Sequence, residues 1–84
     1  LFIGIYMTFK TNLVIMFNSE GEVPTQITNR LKMLNFFPAQ GSIDYTYSWD
    51  HTPTIDEILA LGNKVSATLK GANVLYNLET SEEN

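Results

Sequence analysis

The chain has 84 residues, with five Lys or Arg, nine Asp or Glu, one His and no Cys, and its net charge is −4. This length has room for one domain, residues 1–84, and the lack of cysteine excludes a disulfide framework, a zinc–thiolate centre and a thiol nucleophile. The negative charge disfavours nucleic-acid binding, which needs clustered Lys and Arg. We therefore expect a small cytoplasmic domain that binds no nucleic acid.

The first seven residues, Leu1 to Met7, are almost entirely apolar. They are far fewer than the ~20 residues of a membrane-spanning helix, and they carry neither the basic start nor the cleavage site of a signal peptide. We therefore expect no membrane association. In an alternative interpretation Met7 is the native start and residues 1–6 are an appendage. Residues 2–9 are expected either to extend the first strand or to form a hairpin with it.

The next part of the chain predicts a strand followed by a helix. Residues 13–17 are a continuous apolar run closed by turn-forming residues 18–21, a pattern typical of a central strand covered on both faces. Apolar residues then recur at helical spacing around Pro24, which suits a first helical position. This stripe consists of Val23, Ile27, Leu31 and Leu34. Asn35 is suited to a left-handed cap, and Pro38 prevents the helix from continuing.

Two further strands are predicted between residues 36 and 50. The segment 36–39 is a short edge strand, since proline is tolerated only at sheet edges. Along the following strand, Ile43, Tyr45, Tyr47 and Trp49 alternate with Asp44, Thr46, Ser48 and Asp50. This alternation makes one face aromatic and the other polar, and we expect the aromatic face to meet the core.

The last part of the chain predicts a capped helix and a final strand. Thr54 and Glu57 have the spacing of a capping box, in which each side chain satisfies a backbone amide of the other residue. The expected buried stripe of this helix is Ile55, Ile58, Leu59, Gly62, Val65, Ser66 and Leu69. Gly71 is expected to cap the helix. A strand is predicted over residues 74–79, and residues 80–84 are predicted to be a solvated acidic tail.

The predicted element order is β-α-β-β-α-β. This order resembles the ferredoxin-like fold, an α+β two-layer sandwich, and we expect this fold or a close variant. Both helices would pack on one face of a mixed sheet, with the first and third strands at its centre. If residues 36–39 do not form a strand, a mixed sheet of three or four strands is the alternative.

Candidate catalytic residues are few. Asp50 is placed to orient the ring of His51, the only histidine, for acid–base chemistry. No Gly-x-Ser-x-Gly turn or glycine-rich oxyanion loop accompanies the pair, which favours a loop histidine without a catalytic role. We therefore predict that the protein is not an enzyme and assign no catalytic residue.

The acidic residues supply a metal hypothesis. Glu20 and Glu22 flank a glycine in an oxygen-rich turn, and Glu79, Glu82 and Glu83 follow near the end of the chain. Weak Ca²⁺ or Mg²⁺ sites use scattered carboxylates together with carbonyl oxygens. The spacing does not match an EF-hand loop, so a solvated acidic surface is the favoured interpretation and no other cofactor is expected.

The apolar excess before residue 18 is the most informative feature of the sequence. Two helices cover only one face of a sheet, but residues 1–7 and 13–17 are apolar on both sides. Either the N-terminal segment folds across the open face or a second copy docks there. We favour a homodimer. Its predicted interface includes Ile3, Ile5, Val14 and Met16.

From Phe37 to Thr80 the chain resembles small archaeal α+β proteins. The resemblance rests on Phe37 to Gly41, Asp44-Tyr45, Trp49, Pro53-Thr54 with Glu57, Lys70-Gly71, Val74 to Tyr76, and Glu79-Thr80. It implies no activity and transfers no site residue. The element order is also similar to ACT-type regulatory domains, which bind small ligands at dimer interfaces. Because no glycine-rich ligand loop is recognisable beyond Gly21, this similarity is limited to the fold.

The predicted function is a non-catalytic binding or interaction module that self-associates through its sheet. The first alternative is a weak divalent-cation binder that uses the surface carboxylates. The second alternative is a regulatory domain of ACT type with a small-molecule ligand of unknown identity.

Overall fold

The computed structural model describes residues 8–17 and 24–83. Within these ranges the chain forms an α+β domain of two helices and four strands, in the predicted order β-α-β-β-α-β. The elements are β1 (Thr8–Met16), α1 (Pro24–Lys32), β2 (Phe37–Pro38), β3 (Tyr45–Ser48), α2 (Ile55–Leu69) and β4 (Leu75–Glu83).

The four strands form one sheet in the order β2-β3-β1-β4, so β1 and β3 are central as predicted. Every neighbouring pair of strands is antiparallel, and the prediction of a mixed sheet is therefore wrong. The reason is that each helix links two strands that have a third strand between them. Two strands joined through a crossover helix run parallel, and the strand between them runs antiparallel to both.

β1 is longer and less covered than predicted. It runs without interruption from Thr8 to Met16, so residues 8 and 9 extend the strand, while residues 2–7 lie outside the described residues. Leu13 and Ile15 are buried, but Val14 is 37% and Met16 67% exposed. The prediction that this strand is covered on both faces is therefore wrong, because only one face of β1 packs against the helices.

β4 contains most of the predicted acidic tail. Residues 80–83 pair in continuous register with residues 8–11 of β1, so the prediction of a solvated tail is wrong for them. Side chains reinforce this end of the ladder: Thr11 Oγ1 lies 2.7 Å from Thr80 Oγ1, and Lys10 Nζ lies 3.5 Å from a carboxylate oxygen of Glu83. Apart from Phe9, both strand ends are polar, so hydrophobic periodicity does not reveal their pairing.

α1 and the short β2 strand follow the prediction. The helix buries Ile27 and Leu31, and Val23 lies outside the described residues. Asn35 has a φ of 67°, the left-handed cap that was predicted. β2 follows at the edge of the sheet, so the alternative without this strand is wrong.

α2 begins and ends where the sequence predicts. The Thr54 hydroxyl accepts a hydrogen bond from the backbone N–H of Glu57, and the Glu57 carboxylate accepts one from the backbone N–H of Thr54. Gly71 has a φ of 83° just beyond the helix, a conformation that favours glycine. Local chemistry therefore fixes both ends of α2.

The buried face of α2 differs from the predicted stripe. The buried residues are Leu61, Val65 and Leu69, at successive four-residue steps. Ile55 and Leu59 were expected to be buried but are 71% and 60% exposed. The helix is rotated relative to the prediction, because the core that it joins lies on the Leu61 side of the stripe.

One hydrophobic core lies between the helices and the inner face of the sheet. Its members are Leu13, Ile15, Ile27, Leu31, Phe36, Tyr45, Leu61, Val65, Leu69 and Ala72. Tyr47 and Trp49 pack against this cluster with their ring centroids 4.8 Å apart, which confirms the predicted aromatic face of β3. The indole Nε1 of Trp49 donates a hydrogen bond of 2.9 Å to the buried Thr11 hydroxyl.

Candidate functional site

His51 lies in the turn between β3 and α2, held between two carboxylates. Its Nδ1 is 2.5 Å from Asp50 Oδ1, and its Nε2 is 2.7 Å from Glu57 Oε2. The contact with Asp50 was expected, but the partnership with Glu57 was missed. The capping box was the available signal, because it fixes the Glu57 carboxylate beside the turn that carries the histidine.

The electrostatics of this cluster favour a charged histidine. Hydrogen bonds to Asp50 and then to Glu57 raise the pKa of His51 above its ordinary value. The hydrogen bond with His51 lowers the pKa of Asp50, and the backbone amide of Thr54, followed by His51, lowers the pKa of Glu57. An imidazolium donates from both nitrogens, so the ring carries no free lone pair that would accept a proton from a substrate.

A shallow cleft of about 230 Å³ adjoins this cluster. The Trp49 and His51 rings meet edge to face with centroids 5.8 Å apart, and Lys64 of α2 also lines the cleft. The cleft therefore combines aromatic surface with charges of both signs. Within the described residues, its lining includes no serine, threonine or cysteine, whose hydroxyl or thiol groups act as nucleophiles in covalent catalysis.

The predicted metal ligands do not form one site in the described part of the chain. No three His, Cys, Asp or Glu side chains among residues 8–17 and 24–83 are grouped so that they could hold a metal ion. Because side chains alternate along β4, Glu82 points to the opposite face of the sheet from Glu79 and Glu83. Glu20 and Glu22 lie outside the described residues.

The open face of the sheet carries an apolar patch at one end, which we call the open-face patch and define as Val14, Met16 and Leu75. Met16 and Leu75 are register partners, and Val14 is two residues along the same face. A small cavity of about 150 Å³ lies between these side chains. The predicted interface residues Val14 and Met16 are thus brought together, while Ile3 and Ile5 lie outside the described residues.

A second uncovered apolar surface lies on the other face of the sheet. A groove of about 460 Å³ runs between α2 and β4. Thr11, Leu78 and Thr80 line its sheet side, and Ile58, Leu59, Gly62 and Asn63 line its helix side. The sequence predicts that Ile58, Leu59 and Gly62 belong to the core, and for this reason it does not reveal the groove as a surface.

Comparison of the chain with protein-family models, curated proteins and solved structures finds no match to any of them. The resemblance of residues 37–80 to small archaeal proteins, and of the element order to ACT-type domains, therefore stays a prediction. In the described part of the chain, neither helix has the length and apolar character that crossing a membrane requires.

Proposed function

We propose that this protein is a non-catalytic interaction module that associates with a second copy through the open face of its sheet. The observation that carries the proposal is the open-face patch. Its side chains are contiguous, and Leu75 is 71% exposed although it lies in a strand. Burial of such a patch contributes about 25 cal/mol for each Å² of apolar surface removed from water.

The distribution of polarity on the open face supports a symmetrical contact. Beyond the patch the same face carries polar side chains, including Lys10 and Asn12 of β1 and Glu79 of β4. A two-fold contact brings the same patch of both copies together and leaves these polar groups at a solvated rim. Packed sheets of this kind keep their strands within about 30° of each other.

We also propose that the fold is ferredoxin-like. The element order, the sheet order β2-β3-β1-β4 and the antiparallel pairing of all neighbours support this assignment. Domains of this architecture have one sheet face covered by helices and one bare face. The proposed self-association gives that bare face a partner.

The non-catalytic part of the proposal is supported by the state of His51. Both of its ring nitrogens are engaged by carboxylates, one on each side of the ring. Acid–base catalysis by this histidine would require one nitrogen to leave its carboxylate and turn towards a substrate. The cluster is better suited to holding the turn before α2 in place.

Two matched methionine substitutions test the self-association. Met16 lies in the open-face patch, whereas Met33 follows α1 and is even more exposed, at 85%. We expect Met16→Lys to weaken association by about tenfold or more, because a charge enters the centre of an apolar contact, and Met33→Lys to leave it unchanged. Sedimentation equilibrium over a range of concentrations measures both. A wild-type mass of 9.5 kDa at every concentration would overturn the proposal, as would an unchanged mass for Met16→Lys.

Thermal stability separates this proposal from the divalent-cation alternative. Anything that binds only the folded chain raises its midpoint of unfolding by mass action. Self-association predicts a midpoint that rises with protein concentration, whereas cation binding predicts one that rises with CaCl₂. A response to CaCl₂ together with no response to protein concentration would favour the alternative.

A further inference from the structure

The two edges of the sheet differ in how well they are protected against pairing with another strand. β2 has two residues, one of which is Pro38, so it offers few free backbone groups. β4 has nine residues, Leu75–Glu83, and contains neither proline nor lysine. Its register against β1 is continuous, and within the described residues it pairs with no other strand. Its outer edge is therefore a long, regular template for a further strand.

α2 carries exposed apolar side chains on the side that borders the groove beside β4. Leu59 lines the groove beside β4, and Ile55 lies one turn earlier on the same side of the helix. Viewed along the helix axis, the predicted apolar stripe is centred near Gly62. The residues that are buried, Leu61, Val65 and Leu69, are centred on Val65, about a sixth of a turn away. On this outward side of the stripe, Leu59 beside the groove is 60% exposed and Ile55 is 71% exposed, with no cover from the described residues.

We propose that β4 pairs with β4 of a second copy, antiparallel about a two-fold axis near Leu78, to form one continuous eight-stranded sheet. The same axis sets the exposed Leu59 side chain of each α2 helix beside the joined edges, with Ile55 one turn further from the axis. Main-chain hydrogen bonds provide the affinity of such strand addition, and the apolar helix walls exclude water from it.

The distribution of charge along β4 favours a second copy in the antiparallel orientation. Glu79 lies at the middle of the strand, Glu82 and Glu83 lie at its end, and its first half is uncharged. Antiparallel pairing about Leu78 sets Glu79 opposite Asn77 of the other copy, and it sets Glu82 and Glu83 opposite residues that precede β4, so no two carboxylates are directly opposite each other. Parallel pairing would place like charges directly opposite each other, which is destabilising.

This edge contact is separate from the contact through the open-face patch. One lies along the side of the sheet and the other on its bare face, so a chain can use both at once. Two different two-fold contacts whose axes are perpendicular and intersect combine into a closed tetramer of dihedral symmetry, the most common assembly after the simple dimer. The edge axis is perpendicular to the sheet and the open-face axis lies parallel to it, so we propose the closed tetramer. The two proposals therefore predict that altering either surface removes one contact and leaves the other, which lowers the mass of the assembly from tetramer to dimer.

Single and double lysine variants of the full chain test the edge contact. We expect wild type to sediment as a tetramer and either Leu59→Lys or Met16→Lys to sediment as a dimer. The double variant should be a monomer of 9.5 kDa. Ile55→Lys should match Leu59→Lys, and Met33→Lys should match wild type. Circular dichroism checks that each variant keeps its fold, which we expect because the substituted side chains are exposed.

The outcomes distinguish the two proposals. If both α2 variants sediment as wild type does, the edge contact is wrong, whatever Met16→Lys does. If Leu59→Lys lowers the mass and Met16→Lys does not, the edge contact stands and the open-face contact is wrong. A wild-type chain that is monomeric at all concentrations overturns both.

Amide hydrogen exchange tests whether β4 itself pairs, as opposed to α2 alone. In an edge strand only alternate amides point outward, so pairing protects alternate residues of β4. We expect their exchange to slow by roughly tenfold or more as wild-type protein is concentrated, and to stay fast in Leu59→Lys. Fast exchange of every outward β4 amide in the assembled wild type would overturn the strand pairing.

Discussion

A hydrogen-bond network centred on His51 joins the turn after β3 to the start of α2. The two ring nitrogens of His51 bind a neighbour in the same turn, Asp50, and a residue in the first turn of α2, Glu57. Glu57 uses its other oxygen to cap the helix at Thr54. The turn and the helix start therefore share one hydrogen-bond network, whose strength depends on the charge of the histidine.

This network predicts a decline in stability at alkaline pH. The pKa of His51 is raised above 6.5, so its contribution is full below that value and is lost as pH rises through the folded-state pKa. The pKa values of Asp50 and Glu57 are lowered, so their contribution is lost only as pH falls below their ordinary values of 3.8 and 4.5. The cluster should stabilise the fold most between about pH 4.5 and pH 6.5, where both carboxylates and the histidine are charged. The urea concentration at the midpoint of unfolding should therefore decrease as the pH is raised from about 6 to about 9.

Two substitutions serve as controls for this pH dependence. The urea midpoint of His51→Gln should not decline as the pH rises, because glutamine does not titrate. At alkaline pH the midpoints of the variant and of wild type should be similar. Glu57→Gln keeps a capping side chain but removes one carboxylate, so an NMR titration of the histidine should give a lower pKa than in wild type. An equal alkaline decline in wild type and His51→Gln would contradict the assignment.

At the scale of single elements, the sequence predicts features that depend on a few neighbouring residues. The left-handed Asn35, the capping box at Thr54 and the aromatic face of β3 all follow from local chemistry and all are present. The extent of β4 and the rotation of α2 do not. The end of β4 pairs with a largely polar part of β1, and α2 buries the Leu61 side of its stripe while Leu59 is left beside a groove. Periodicity within one segment cannot supply either fact.

The length of β4 leads to a prediction about truncation. A chain that ends at Glu79 loses the pairing of residues 80–83 with the start of β1, including the hydroxyl contact between Thr11 and Thr80. With a net contribution of about 1 kcal/mol from each lost hydrogen bond, we expect the free energy of unfolding to fall by roughly 2–4 kcal/mol. Chemical denaturation of the truncated and full chains measures the difference.

The matched control for this truncation removes charge without removing the strand. Glu82→Gln with Glu83→Gln eliminates two carboxylates and the ion pair with Lys10, which is exposed and contributes little. This double variant should be nearly as stable as wild type. If truncation at residue 79 has no more effect than the double variant, residues 80–83 act as a tail and the β4 ladder is not a source of stability.

At the scale of the whole molecule, the chain has more apolar surface than its core buries. The sequence predicts this excess in β1, at Val14 and Met16, but it assigns the α2 stripe entirely to the core. The sequence does not reveal the exposed apolar surface of α2, because the spacing of apolar residues along a helix does not show how much of the sheet the helix covers. The open-face patch lies on one face of β4 and the groove beside α2 lies on the other face. This edge of the sheet therefore lacks cover from the described residues on both of its faces.

A small domain with two uncovered apolar surfaces should depend on association for part of its stability. For a tetramer, a tenfold rise in protein concentration favours the folded assembly by about 1 kcal/mol per chain, which corresponds to a rise of about 4–8 °C in the midpoint of thermal unfolding for a domain of this size. We expect that rise for wild type, measured by differential scanning calorimetry over two decades of concentration. The Met16→Lys, Leu59→Lys double variant should melt at one temperature throughout, because its unfolding involves a single chain. A concentration-independent midpoint for wild type would mean that the core alone sustains the fold and that the exposed apolar side chains of β1, β4 and α2 stay in water.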